Sequence, residues 1–347
     1  MTLIDEATEL ALLEAESQLE LGRITGAEGR YSEAEECIRA ALEVFRAHSV
    51  RGKVAEAQGE LGLVAQRAGR LDEAVHFHSQ AREICRESGD PSSEVRHLGN
   101  LGVVHLMRDD TERAEECFER TIVLARQYGD RHMEGRAESA FANLRLSQQR
   151  YDEVLTHCRR AITILREIGN KRAVAVCLTN SGMACSSLAR FEEAVGFLRP
   201  SIDLHREVGN LSGEGNALGH LGIALTKLGR LDEAEEATRQ AISLTEETFP
   251  IASAQHRVVL AEILAQRGAH GEVLELLDLD KAVMMPYPGF HAGILYDSAK
   301  VLHQAGHTGR ARDMLTQLRE MIPRLEGPAA VRYTEMLDSL SELIEGA

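Results

Sequence analysis

Tryptophan is absent from this 347-residue chain, aromatic residues make up 4% of it, and proline occurs only seven times. A core without large rings must be built from Leu, Ala, Ile and Val, which suits helix packed on helix. No run of 18 or more apolar residues occurs, so the sequence offers no membrane span. The opening residues, Met1-Thr2-Leu3-Ile4-Asp5-Glu6-Ala7, lack the basic start and apolar middle of a secretion signal, and a cytoplasmic chain is expected. Basic residues are also scarce, 39 against 55 acidic, leaving a formal charge of −16 that repels phosphate backbones and anionic membranes. Direct nucleic-acid and membrane partners are therefore not expected. The six cysteines form no C-x-x-C pair and read as reduced thiols packed as small hydrophobes.

Repetition is what the sequence has in abundance. Stepping by 40 residues gives Leu21-Gly22, Leu61-Gly62, Leu101-Gly102, Phe141-Ala142, Ser181-Gly182 and Leu221-Gly222. A second anchor keeps the period at Ala34, Ala74, Ala114, Val154, Ala194 and Ala234. Before it lies a turn motif, as in Gly29-Arg30-Tyr31-Ser32-Glu33-Ala34 and Gly69-Arg70-Leu71-Asp72-Glu73-Ala74. Such self-similarity marks a solenoid, in which each unit packs on its neighbours. Further punctuation falls at Gly89-Asp90-Pro91, Gly129-Asp130, Gly169-Asn170 and Gly209-Asn210, where Gly ends one helix and Asp or Asn caps the next. The spacing predicts a first helix of about 16 residues, a turn, and a second helix of about 18 in each unit. A glycine inside a helix costs about 1 kcal/mol against alanine, so the recurring Gly22, Gly62 and Gly102 imply a close approach of the two helices, with Ala34 and its equivalents opposite.

After Pro250 the register slips. Leu260-Ala261 with Val273, and then Gly306-His307-Thr308-Gly309-Arg310-Ala311, predict two degenerate units, while Met284 to Phe290, with two prolines, reads as a loop. Val331 to Ile344 predicts an amphipathic helix capping the last repeat. The expected organisation is six regular units over 1–249, two degenerate ones over 250–325, and the capping helix over 326–347.

The Leu-Gly pair, the Ala after a turn, and the large and small residues that follow, such as Ala114, Phe118 and Thr121, resemble the tetratricopeptide repeat. The unit is 40 residues long instead of 34, which resembles the longer arrays of kinesin light chains, polarity adaptors and bacterial signalling regulators. The resemblance implies an all-α, right-handed solenoid of about eight helix-turn-helix hairpins with a capping helix. It also implies a non-catalytic role: binding a protein or peptide in a concave groove, in a bacterial regulatory or sensor module. An assembly module that self-associates is the alternative.

No residues argue for catalysis. Gly213-Glu214-Gly215-Asn216-Ala217-Leu218-Gly219 has the wrong spacing for a nucleotide loop and no strand before it. His76 and His78 face different sides of a helix, without the partners of a zinc site. Glu-Glu pairs such as Glu35-Glu36 and Glu115-Glu116 sit where carboxylates complement a helix N-terminus. Neither a cofactor nor a metal is expected.

In the family the first helices line the concave face, and its inward positions carried onto this chain select a surface that changes along its length. Glu16, Glu20, Glu56 and Glu60 make the early end acidic. Arg96, Asn100, Arg136, Ser139, Asn143, Thr179, Asn180, Asn216 and His220 follow as the peptide-binding set the resemblance implies. Asn100-Leu101-Gly102 resembles the element with which related repeats hold an extended peptide. Asn offers both a donor and an acceptor to peptide groups, the small residues Gly99, Ser139 and Thr179 leave room for a backbone, and Arg96 and Arg136 suit a carboxylate. The competing expectation is that Glu94 and Glu134 neutralise those two arginines.

Overall fold

The computed structural model describes residues 6–247, 249–277, 288–325 and 328–345, and these form seventeen α-helices and no strand. Helices α1 (Glu6–Ala27) and α2 (Tyr31–Ala47), α3 (Arg51–Arg67) and α4 (Leu71–Ser88), α5 (Pro91–Met107) and α6 (Thr111–Tyr128), and α7 (Arg131–Ser147) and α8 (Tyr151–Glu167) pair as hairpins. So do α9 (Lys171–Ser187) with α10 (Phe191–Glu207) and α11 (Leu211–Lys227) with α12 (Leu231–Thr245). Then come α13 (Pro250–Gln266), the short α14 (His270–Leu276), α15 (Pro288–Gln304), α16 (Thr308–Met321) and α17 (Pro328–Glu345). The anticipated class, an all-α solenoid of tandem hairpins, is the one observed. The expected loop over Met284 to Phe290 is corrected at its end. Met284 to Tyr287 lie outside the described residues, but Pro288, Gly289 and Phe290 form the first turn of α15. Proline suits that position because the first helical amide needs no partner.

Contacts divide the chain into two compact units, Met1–Ala173 and Val174–Ala347. In the first, each helix packs on the next in sequence, and first helices of neighbouring hairpins touch as well, α1 with α3 and α5 with α7. In the second, α10 to α13 pack in series, α13 also meets α11, α14 and α15, and α17 packs on α15 and α16.

Local chemistry sets the hairpin ends. Gly89, Gly129 and Gly209 take left-handed φ angles of 69°, 73° and 64°. The next side chain then caps the following helix: Asp90 accepts from the Ser93 amide at 3.1 Å, Asp130 from Met133 at 2.9 Å and Asn210 from Gly213 at 3.2 Å. The turn motif has an ionic explanation that its composition did not disclose. Arg30, Arg70, Arg150 and Arg230 each pair with the glutamate three residues on, at 2.5 to 3.1 Å.

The glycines inside the first helices do mark a close approach, in which the expected alanine takes part at Gly22 and Gly222 through the Ala34 and Ala234 carbonyls at 3.0 and 3.5 Å, but the nearest partner is another side chain. A β-carbon on Gly22, Gly62, Gly102, Gly182 or Gly222 would lie 2.2 to 2.7 Å from the side chain of Ile38, His78, Phe118, Leu198 or Thr238, respectively. Each glycine is thus a socket for the side chain 16 positions later. Gly102→Ala is expected to cost about 1–3 kcal/mol by overpacking against the Phe118 ring. Gly196, exposed in the middle of α10 with nothing within 4 Å of an added β-carbon, should instead gain about 1 kcal/mol on replacement by alanine. Urea unfolding of the two variants checks both signs.

Cys85, Cys158, Cys177 and Cys185 are buried and Cys37 and Cys117 half-buried, all as free thiols. Burial pushes the Cys117 thiol up to about 11, which keeps it protonated and unreactive at neutral pH.

Candidate functional site

In the first unit, α5 carries Arg96 and Asn100 and α7 carries Arg136, Ser139 and Asn143. Arg96 and Arg136 are exposed, and among the described residues neither has a carboxylate within 4.0 Å. The neighbouring acids are engaged elsewhere: Glu134 binds Arg126 at 2.7 Å and Arg131 at 2.6 Å, and Glu94 lies 3.8 Å from Arg82. The neutralisation considered from sequence is therefore not what occurs. Arg96 donates to the Ser93 hydroxyl at 3.2 Å. Arg136 lies in a recess that solvent still reaches; desolvation, and secondly the Arg96 charge, lower its pKa from the ordinary arginine value. Two close cations with no carboxylate in ion-pair contact among the described residues attract an anion.

The other side chains of this face are placed less uniformly. Asn143 is exposed, Ser139 half-buried and Asn100 buried at 7% exposure. Gly99 does not leave room for a ligand, because the Met133 methyl fills it, 2.9 Å from where a β-carbon would lie. The acidic early end is also moderated. Lys53 binds Glu16 and Glu56 at 3.0 and 3.2 Å, while Arg23 binds Glu20, Glu56 and Glu60 at 2.6 to 3.1 Å. Burial works against the Arg23 charge, but these carboxylates raise its pKa on balance.

Buried charge in the same unit is structural. Glu138, fully buried, accepts from Arg126 at 3.0 Å and lies 2.7 Å from His157 Nδ1. The His157 ring stacks on Phe141 at 4.4 Å between centroids, and the Arg145 guanidinium covers the Phe141 ring at 4.6 Å.

The remaining candidates belong to the second unit. Thr179 is buried in its own hairpin, sharing a hydrogen bond with the Ser201 hydroxyl at 2.7 Å and lying 3.3 Å from His205 Nε2. It is committed to holding α9 on α10, and Asn180 is likewise buried. Asn216 and His220 do come together, on the wall of a cavity of about 790 Å³ between α11, α13, α15 and α17. Gln255, His256, Asp297 and Tyr333 belong to its polar lining, together with the charged Lys227, Glu262, Lys300 and Arg332, and its volume is that of a small-ligand site. Burial holds His220 and His256 down to about 4, so both are neutral at pH 7. Burial raises the Asp297 carboxyl, with Glu262 adding to the effect and Lys300 and Arg332 opposing it. The Tyr333 hydroxyl donates to the Gly289 carbonyl at 3.2 Å, fastening α17 to the first turn of α15. Sequence reasoning missed Gln255, Asp297 and Tyr333 because they lie where the 40-residue register fails.

Among the described residues no three His, Cys, Asp or Glu side chains are grouped to hold a metal ion, and no helix is long and apolar enough to cross a membrane.

Tetratricopeptide repeat models match residues 12–88, 53–127, 134–207 and 215–257. Among curated proteins none matches the chain. The solved structures it resembles include a signal-transduction ATPase with a tetratricopeptide repeat sensor from Pyrococcus horikoshii, at TM-score 0.67 and 14% identity, covering 95% of this chain and 50% of that one. Another is the quorum sensor NprR from B. thuringiensis in its apo form, at 0.66 and 13%, covering 89% and 87%. A Rap protein complexed with competence and sporulation factor aligns at 0.58 and 13%, covering 96% and 99%. At these identities the likeness is one of fold.

Proposed function

The chain belongs to the tetratricopeptide repeat family, and from that premise we propose that it is a non-catalytic recognition module that holds an acidic peptide or partner segment against α5 and α7. The observation that carries this reading is the pair Arg96 and Arg136, exposed on touching helices and, among the described residues, with no carboxylate within 4.0 Å although the chain as a whole is acidic. A carboxylate placed between two guanidinium groups gains charge-assisted hydrogen bonds, and the exposed Asn143 one helical turn beyond Ser139 supplies amide groups for the ligand backbone. The two similar structures described as a quorum sensor and as a Rap protein with a bound factor support a bacterial regulatory role in the cytoplasm. In that role the chain would report peptide occupancy to a partner.

An array of immobilised 15-residue peptides, graded from basic to acidic, tests the proposal. The wild-type chain is expected to retain acidic peptides, and Arg96→Ala with Arg136→Ala to weaken them at least roughly a hundredfold, since each charge-assisted hydrogen bond contributes about 1.5–3 kcal/mol. Both side chains are exposed, so thermal stability should stay unchanged. Equal retention by the double variant would refute the assignment.

A further inference from the structure

The outward face of α1 breaks the burial pattern of the repeat. Leu21 is 41% exposed and Ile24 50%. One period on, Leu61 and Val64 are at 1% and 2%, and two periods on, Leu101 and Val104 are at 5% and 0%. Those equivalents are covered by the second helix of the preceding hairpin: Leu61 packs in one cluster with Ile38, Leu42 and Phe45 of α2. Leu10, 58% exposed, extends the same stripe toward the start of α1. Opposite it, Ala15, Leu19 and Gly22 are already buried. The face α1 leaves open thus has the residue spacing that, elsewhere in this chain, receives a helix.

The repeat also specifies the charge of that helix. Arg126, in the last turn of α6, binds Glu134 of α7 at 2.7 Å, and Arg206, in the last turn of α10, binds Glu214 of α11 at 2.8 Å. The residue of α1 in register with Glu134 and Glu214 is Glu14, which is exposed and has no cation within 4.0 Å among the described residues. A second copy of α1 does not complement this face, because α1 carries Glu6, Glu9, Glu14, Glu16 and Glu20 against Arg23 alone and has no basic residue in its last turn.

We propose that the α1 face docks an amphipathic helix of a partner, with an apolar stripe seated on Leu10, Leu21 and Ile24 and an arginine in its last turn paired with Glu14. The inference is independent of the peptide surface on α5 and α7. A fluorescent peptide of residues 111–130, stapled across the exposed positions 119 and 123 so that it is helical beforehand, is the probe, titrated with the full chain by anisotropy. Saturable binding is expected. Leu21→Lys with Ile24→Lys should abolish it without lowering the melting temperature, both positions being at the surface. Glu14→Arg should weaken it roughly fivefold, the scale of a well-placed ion pair, and Arg126→Glu in the peptide should restore it. No saturation up to about 1 mM, or binding indifferent to the Leu21 and Ile24 changes, would overturn the proposal. So would sedimentation showing a dimer of the free chain that the same two changes dissolve, since the occupant would then be a second copy.

Discussion

Lowering the pH from 7 to 4.5 should remove about 5 kcal/mol more unfolding free energy from the wild-type chain than from a His78→Phe, His97→Ala variant, at 1.36 kcal/mol per unit of pKa difference. The two imidazoles are buried with centroids 5.8 Å apart, and among the described residues none of their four ring nitrogens has a hydrogen-bond partner. Burial, then the charges of His97 and Arg96, push His78 down to about 3. Burial and Arg96, opposed by Asp90, push His97 down to about 4. The unfolded chain protonates both near 6.5 while the folded chain does not, so unfolding takes up protons and stability falls as the pH drops from about 6.5 toward 4. The next repeat supplies the replacements: Phe118 stands 40 residues after His78 and Ala137 40 after His97. Phe118 seats on Gly102 as His78 seats on Gly62. Urea midpoints at pH 7 and 4.5 decide the matter, and parallel losses in the two proteins would show that the pair does not set the acid limit.

Arg126→Met should be the most damaging single change among the surface arginines, costing about 3 kcal/mol, at the low end for breaking a buried ion pair. The Arg126 side chain is 52% exposed, yet its two carboxylate partners, Glu134 and Glu138, are 6% and 0% exposed. Methionine preserves the apolar stem while leaving Glu134 to Arg131 and Glu138 to His157 and a distant Arg160. Arg86→Met is the control, because its exposed pair with Glu83 is worth less than about 1 kcal/mol. Chemical unfolding at pH 7 compares them, and equal losses would show that Glu138 is adequately neutralised without Arg126.

Much of the fold is legible in the sequence because a repeat states each structural requirement several times over. The Gly-Asp and Gly-Asn punctuation specifies helix ends through left-handed φ and side-chain caps, and both are local. The sockets are a different matter. That Gly62 must be empty can be read from its recurrence, but the occupant lies 16 residues away, and only packing identifies it as His78. The recognition surface is less legible still. Periodicity places Arg96 and Arg136 on neighbouring helices, whereas their freedom from Glu94 and Glu134 depends on Arg82, Arg126 and Arg131 reaching those acids first. Gly99 and Thr179 fit the pattern of small inward residues, yet each is consumed by its own neighbours. Past Pro250 the repeat is degenerate and its register slips, and helices from that stretch complete the cavity that α11 begins.

Within each unit a helix finds most of its partners in the helices adjacent to it in sequence, and the rest one helix further on. Such local connectivity asks little loop-closure entropy of the folding chain, so ordering can nucleate at any hairpin and spread outward at high speed. It also makes unfolding piecemeal: a proton forced onto His78 or His97 loosens the junction of α3, α4 and α5 first. The hairpins before that junction are then positioned to open and reclose while the rest of the stack persists.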